Sequence, residues 1–225
     1  MNISSMPTPT YINIHTHHPS PQGITVLNTF LQEFQENDSQ QYQSVGLHPW
    51  HIEEHQGVLN NLTKAADRKH VLFIGETGLD RAIDTPFELQ KEVFVQHIQC
   101  AEQLSKPMII HAVRSYPDLL QMRKQSKAQQ PWVIHGFQGN LQIAQQLLKT
   151  GCYLSYGEVL FKNRPKVIEA FLQTPIDRLF LETDDKKELS IQQVYEQAAQ
   201  LKEIPIFTLI ERISSNFRKL ALFEG

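Results

Sequence analysis

Six short apolar runs in this chain end in a histidine, a glutamate or an aspartate: Tyr11–His17, Ser44–His48, Val71–Glu76, Lys106–His111, Pro131–His135 and Arg178–Asp184. A charged side chain at the end of a buried strand is costly unless a cation or a hydrogen-bond network receives it. One such ending carries no information. The recurrence does, because it restricts the chain to a fold that gathers strand ends in one place. A closed parallel barrel does this, since its active site lies at the C-terminal ends of its strands. The set reads as a metal site at the mouth of such a barrel.

The stretches between the runs fit that architecture. Gly57–His70 carries Val58, Leu62, Ala65 and Ala66 on one helical face. Thr85 reads as an N-cap with Pro86 at the first helical position, opening a helix to about Ser105. Pro117–Lys127, Asn140–Thr150, Lys166–Gln173, Ser190–Lys202 and Ile206–Leu222 are further helices, and Gly151 closes one of them in the position that favours glycine. Ile24–Asn28 and Cys152–Tyr156 are two more β-like runs, which makes eight strands. The region after the first strand is abbreviated. Pro19 and Pro21 break it, Phe30–Phe34 allows only a short helix, and Glu36–Gln43 is a polar loop. The expectation is an α/β barrel lacking the helix after strand 1, in a single domain over residues 1–225.

Composition narrows the function. The net charge is −3, so no global basic field draws in nucleic acid and any such contact comes from local patches. Cys100 and Cys152 lack metal-type spacing and read as buried thiols of a reducing compartment. Met1–Thr10 lacks the basic and apolar regions of a signal peptide, and no apolar run approaches the ~20 residues of a membrane span. The expected location is cytoplasmic, with no membrane association and no obligate protein partner.

His15 and His17 are two apart on a strand, so both imidazoles point the same way. With Glu76, His111, His135 and Asp184 they form a mixed nitrogen and oxygen set large enough for two divalent ions. Zinc, manganese, nickel, iron and magnesium are the candidates, ahead of calcium. Two such ions can activate a water and stabilise both oxygens of a displacement. Holding them close needs a bridging carboxylate, and Glu76 is the candidate. Asp184 is the candidate general base. Glu182 shares its strand face and is expected to accept the N–H of a ligand histidine. Arg81, Arg114, Lys162 and Arg164 follow strand ends and are the cations available to a phosphodiester. Phe137 and Trp50 are candidates for stacking on a base or sugar, and Tyr156 and Glu158 for facing the cavity.

The motifs Asn13-Ile-His15-Thr-His17, Gly46-Leu-His48-Pro49, Ile74-Gly75-Glu76-Thr-Gly78-Leu-Asp80, Ile110-His111, His135-Gly-Phe-Gln-Gly139 and Glu182-Thr-Asp184 resemble, in order, those of the TatD family of metal-dependent hydrolases. The resemblance implies a TIM-type (β/α)8 barrel and a deoxyribonuclease or related phosphodiesterase activity. It implies that His15 and His17 bind one metal with Glu76 and Asp184, and that Glu76 bridges to a second held by His111 and His135. It places His48 beside substrate, and leaves Asp80 either to orient active-site groups or to cap its loop. Some positions depart from the family pattern. Asn13 stands where aspartate is usual, Thr77 replaces an aliphatic residue, Arg81 stands where an aromatic is common, and Asp185-Lys186-Lys187 follows Asp184. None of these removes a metal ligand. Three readings remain open from sequence: a two-metal phosphodiesterase acting on DNA or a small phosphodiester, a small-molecule amide or lactone hydrolase on the same barrel, and a non-catalytic metal-binding relative. No strand ends in a lysine that could be carbamylated to bridge metals, which favours the first.

Overall fold

The computed structural model describes residues 10–35, 41–52 and 56–221. Eight strands pair in parallel and in sequence order: β1 (Ile12–Thr16), β2 (Ile24–Phe30), β3 (Gln43–Gly46), β4 (Val71–Asp80), β5 (Met108–Val113), β6 (Trp132–Ile134), β7 (Tyr153–Tyr156) and β8 (Leu179–Leu181). Their side chains are mostly β-branched, aromatic or leucine, as expected of strands buried on both faces. Helices wrap the outside: α1 (Leu62–Ala66), α2 (Phe87–Leu104), α3 (Tyr116–Ser126), α4 (Leu141–Lys149), α5 (Pro165–Gln173), α6 (Ile191–Lys202) and α7 (Ile206–Ala221). This is the eight-stranded barrel expected from the sequence, and the helix after strand 1 is absent as expected. Only residues 17–23 separate β1 from β2, too few for the usual helical crossover.

The barrel closes along an incomplete seam. β1 and β8 meet through a single bridge between Thr16 and Asp184, with His17 N donating to Asp184 O (3.0 Å) and Asp184 N donating to His15 O (3.1 Å). Lower down, side chains replace the missing ladder. The Tyr195 hydroxyl of α6 accepts from Ile12 N and donates to Ile12 O, both at 3.1 Å. Asn13 Oδ1 accepts from Thr183 N (3.1 Å), and Asn13 Nδ2 donates to Thr183 Oγ1 (2.8 Å). The stitching satisfies buried backbone groups that would otherwise be left unpaired.

Three local expectations change. The helix over Gly57–His70 is a 3-10 turn, Gln56–Asn61, followed by the single short helix α1. Thr85 does not cap α2 with its side chain. Its carbonyl instead accepts from Gln90 Nε2 at 2.8 Å, and Pro86 occupies the cap. β4 runs on past Glu76 to Asp80. It does so through a register irregularity between Ile74 and Thr77, where Gly75 and Gly78 pack against β5. A Cβ at Gly75 would lie 2.3 Å from Ile109 O, and one at Gly78 2.0 Å from His111 O. Only glycine permits that approach, and positive φ at both positions reinforces the requirement. Asn140 caps α4 and Ser190 forms a capping box with Gln193 on α6. Cys100 and Cys152 are free and buried.

Candidate metal centre

Glu76 sits at the middle of the barrel mouth, buried, with each carboxylate oxygen facing a different group of side chains. Oε2 faces the seam. It lies 3.4 Å from His15 Nε2 and 3.6 Å from His17 Nε2, and the same two nitrogens lie 3.4 and 3.6 Å from Asp184 Oδ1. Oε1 faces the opposite side, 2.7 Å from His135 Nε2, 3.0 Å from His111 Nδ1 and 3.2 Å from His48 Nε2. The donor atoms of His15, His17 and Glu76, of His15, His135 and Asp184, and of His48, Glu76 and His111 form three overlapping trios whose members lie within 4.8 Å of one another. The strands explain the gathering. The histidines and Asp184 stand in the last residues of a strand or just beyond one, Glu76 stands within β4 at the irregularity that precedes its final residues, and closure brings them together.

The donors fit a metal. His15 is fully buried, yet neither of its ring nitrogens has a hydrogen-bond partner, and His135 Nε2 has none of acceptable geometry. Buried polar atoms without partners are rare and need a reason. Imidazole nitrogens and carboxylate oxygens converging in this way suit a divalent cation. Two of the histidines are also oriented from behind. His111 Nε2 meets Asp80 Oδ2 at 3.1 Å, and His135 Nδ1 meets Glu182 Oε1 at 3.4 Å. Glu182 Oε1 also accepts Gly136 N at 2.7 Å. Carboxylates in this position fix the tautomer and ring plane of a ligand histidine.

The electrostatics follow from the crowding. Burial and His135 oppose protonation of His15, but Glu76 and Asp184 outweigh them and raise it to about 9. Burial likewise opposes protonation of His135 and His111, and their carboxylate neighbours overcome it. Burial would raise Glu76, but His135, His48, His15 and His111 together hold it well below the usual carboxylate range. Asp184 is held low against burial by His15 and His135. Burial also works against Asp80, which His111, the Ala82 amide and Trp50 nevertheless bring down to about 2. His48 behaves differently: burial dominates and lowers it to about 4. Its Nδ1 accepts the Trp50 amide at 3.1 Å, which assigns its proton to Nε2, the atom facing Glu76.

A residue not singled out in the sequence also holds the centre. Asn28, near the end of β2, accepts Glu76 N with Oδ1 (2.9 Å) and donates from Nδ2 to Glu76 Oε2 (3.5 Å). Its signal was present, since it is a polar residue ending an apolar run like the others.

The sequence profile of TatD-related DNases matches residues 15–221 of this chain. The chain belongs to that family. A relative from Buchnera aphidicola subsp. Baizongia pistaciae, named an uncharacterized metal-dependent hydrolase, is 36% identical over 159 residues, covering 69% of this chain and 60% of its own length. The Bacillus subtilis protein YabD, named in the same words, is 32% identical over 195 residues, covering 80% of this chain and 76% of its own. Among solved structures, the TatD homologue YjjV of Escherichia coli superposes with a TM-score of 0.83 at 23% identity, over 94% of this chain and 97% of that one. A TatD-family hydrolase of Entamoeba histolytica gives 0.80 at 17% identity, over 96% and 99%. Both share the TIM-type barrel.

Around this TatD-family centre the remaining candidates fall into two groups. Asp80 takes both roles left open for it, because it orients His111 and also accepts Ala82 N (2.8 Å) in its loop. Trp50 is exposed at the mouth, and Glu158 and Lys162 wall a cavity of about 60 Å³ beside Asp184 and Glu182. Arg114 is exposed, at a positive φ, just beyond β5. The others are committed elsewhere. Arg81 pairs with Asp118 (2.7 Å) and lies over the Phe87 ring at 3.7 Å. Arg164 pairs with Gln138, while Lys162 pairs with Glu158 on the cavity wall itself. Phe137 and Tyr156 are fully buried against each other and do not line the mouth. The Tyr156 hydroxyl bonds Thr174 Oγ1 at 2.9 Å. Among the described residues no helix is long and apolar enough to cross a membrane.

Proposed function

We propose that this protein is a two-metal phosphodiesterase acting on nucleic acid, with DNA as the leading substrate. The observation that supports this most is the position of Glu76, whose two oxygens each serve a separate set of imidazoles. One carboxylate between two donor sets is the arrangement a pair of adjacent divalent ions needs. His15, His17, Glu76 and Asp184 would hold one ion, and Glu76, His111 and His135 the other. The ions, when bound, supply acidified water at neutral pH and offset the charge that develops on the phosphoryl oxygens.

The chain's own residues do the rest. Asp184 is partly exposed and held low in pKa, so it is ionised at neutral pH and available to take a proton from the attacking water. His48 is neutral at that pH and bears its proton on Nε2, so it donates a hydrogen bond to a phosphoryl or leaving-group oxygen on the Oε1 side. Asp80 and Glu182 keep His111 and His135 in place as charge moves. Arg114 is an exposed cation placed to position a phosphate from the rim.

The test is reconstitution. Protein stripped with a chelator is given manganese, zinc, nickel or magnesium, and turnover of bis-p-nitrophenyl phosphate and of single-stranded DNA is followed. Metal-dependent hydrolysis of both is the expected result. Metal binding at two equivalents without turnover of either would sink the phosphodiesterase reading and turn the search to amides and lactones.

A further inference from the structure

We infer that Trp50 is a stacking platform for the nucleobase flanking the scissile phosphate, which makes it a specificity-determining residue of the site. The inference rests on the phosphodiesterase reading and adds the residue that holds the base beside the reacting phosphate. Trp50 lies in the 3-10 turn Pro49–His51 that follows β3 and is 61% exposed. A lone exposed aromatic is ordinary on a protein surface. This one is aimed. Its indole Nε1 donates to Asp80 Oδ2 at 3.2 Å, the same oxygen that meets His111, and its amide donates to His48 Nδ1. The indole therefore cannot fold away without giving up its bond to Asp80, and the amide bond to His48 holds the turn that carries it.

Its position suits a base next to a reacting phosphate. The indole centroid is 4.8 Å from the His48 ring and 6.3 Å from the His111 ring, both edge-on. Both imidazoles touch Glu76, so the indole stands one ring away from the proposed reaction centre. Phe30 continues the same wall, 5.6 Å from His17 and 6.2 Å from His48. The wall on the β7 and β8 side is polar, with Glu158, Lys162, Lys186 and Gln138. A nucleotide offers one aromatic face and one charged backbone, and the two walls offer the matching surfaces. Base–aromatic stacking tolerates any base but requires that the base be out of its helix, which is how single strands are held.

Intrinsic fluorescence gives a direct readout, because the only other tryptophan, Trp132, is fully buried. Thymidylyl-thymidine and its analogue lacking one base are titrated into the protein, and kcat and KM are measured for both. The expected result is saturable quenching by the complete dinucleotide and little by the abasic analogue, with single-stranded oligonucleotide quenching at lower concentration than a blunt hairpin. Trp50→Ala should remove the quenching and collapse the preference for the complete dinucleotide by roughly ten- to hundredfold in kcat/KM. Trp50→Phe keeps a ring but loses the bond to Asp80, and should retain most of the preference. If Trp50→Phe behaves as Trp50→Ala, the effect runs through Asp80 and the proposal falls. Equal KM for both dinucleotides in the wild type also overturns it, while turnover itself leaves the phosphodiesterase reading standing. Base-dependent quenching without turnover would do the reverse.

Discussion

The two sides of Glu76 are built by different means. On the Oε2 side, His15, His17 and Asp184 come from the seam between β1 and β8, and backbone hydrogen bonds hold them: His17 N to Asp184 O, and Asp184 N to His15 O. Among the described residues no carboxylate stands behind His15, whose Nδ1 has no hydrogen-bond partner. On the Oε1 side, His111 and His135 come from the ends of β5 and β6 and each leans on an outer carboxylate, Asp80 or Glu182. His48 there is set by the turn that carries Trp50. One half of the centre is thus positioned by main chain and the other by side chains. Main-chain positioning survives most substitutions, whereas side-chain positioning is exposed to each of them.

The largest disruption should remove what the halves share. Glu76→Gln keeps the shape but halves the charge available to two cations, so turnover of bis-p-nitrophenyl phosphate should fall at least about a thousandfold. Bound metal, counted by atomic absorption, should drop on both sides. A variant that still holds two equivalents would break the shared-carboxylate picture. Next comes Asp184→Asn, confined to the seam. It should lower kcat about a hundred- to ten-thousandfold through loss of the proposed base, while one equivalent of metal, on the Oε1 side, remains. Asp80→Asn is the opposite probe. Loss of an outer partner should weaken one metal by about ten- to a hundredfold and leave the other untouched, as read by competition with a chelator. Equal weakening of both would mean the sides are not separately built.

The smallest effect concerns acid. His97 on α2 is fully buried, accepts Leu47 N with Nε2 at 2.9 Å and faces Val93 O with Nδ1 at 2.8 Å. Burial lowers its pKa from 6.5 to about 4, with the Val93 carbonyl opposing in part. The unfolded chain therefore takes up this proton more readily than the folded one. Its contribution to stability is complete above about pH 6.5 and declines as pH falls toward 4, with a slope of at most about 1.4 kcal/mol per pH unit. Because Leu47 precedes His48, the Oε1 side should loosen first. Denaturant melts between pH 7 and 4 on the wild type and His97→Gln would show it, and parallel curves for the two proteins would refute the assignment.

Much of this was legible in the sequence because chemistry and periodicity coincide at strand ends. Each apolar run announces a strand, and the polar residue closing it announces the mouth. Asn28 obeys the same rule and needed only its consistent application. The pairing of Asp80 with His111 was harder to see. The apolar pattern of β4 stops at Glu76, and nothing in it shows that the strand continues to Asp80 through Gly75 and Gly78. The side chains of Arg81 and Phe137 were misleading for a related reason. Sequence places them after ligand strands, but whether a long side chain turns toward a cavity or toward Asp118 or Tyr156 depends on neighbours brought from elsewhere in the chain.

The single bridge between Thr16 and Asp184 has a consequence for the newly made chain. The first strand leaves the ribosome carrying His15, with His17 just behind it, and its partner across the seam is separated from it by nearly the whole barrel. Contacts so distant in sequence form late. The same residue then fastens the cylinder and completes the donor set, so closure and competence arrive together. A nascent chain that ends before Asp184 carries His15, His17, Glu76, His111 and His135 but lacks both the bridge that closes the seam and the last donor of the set.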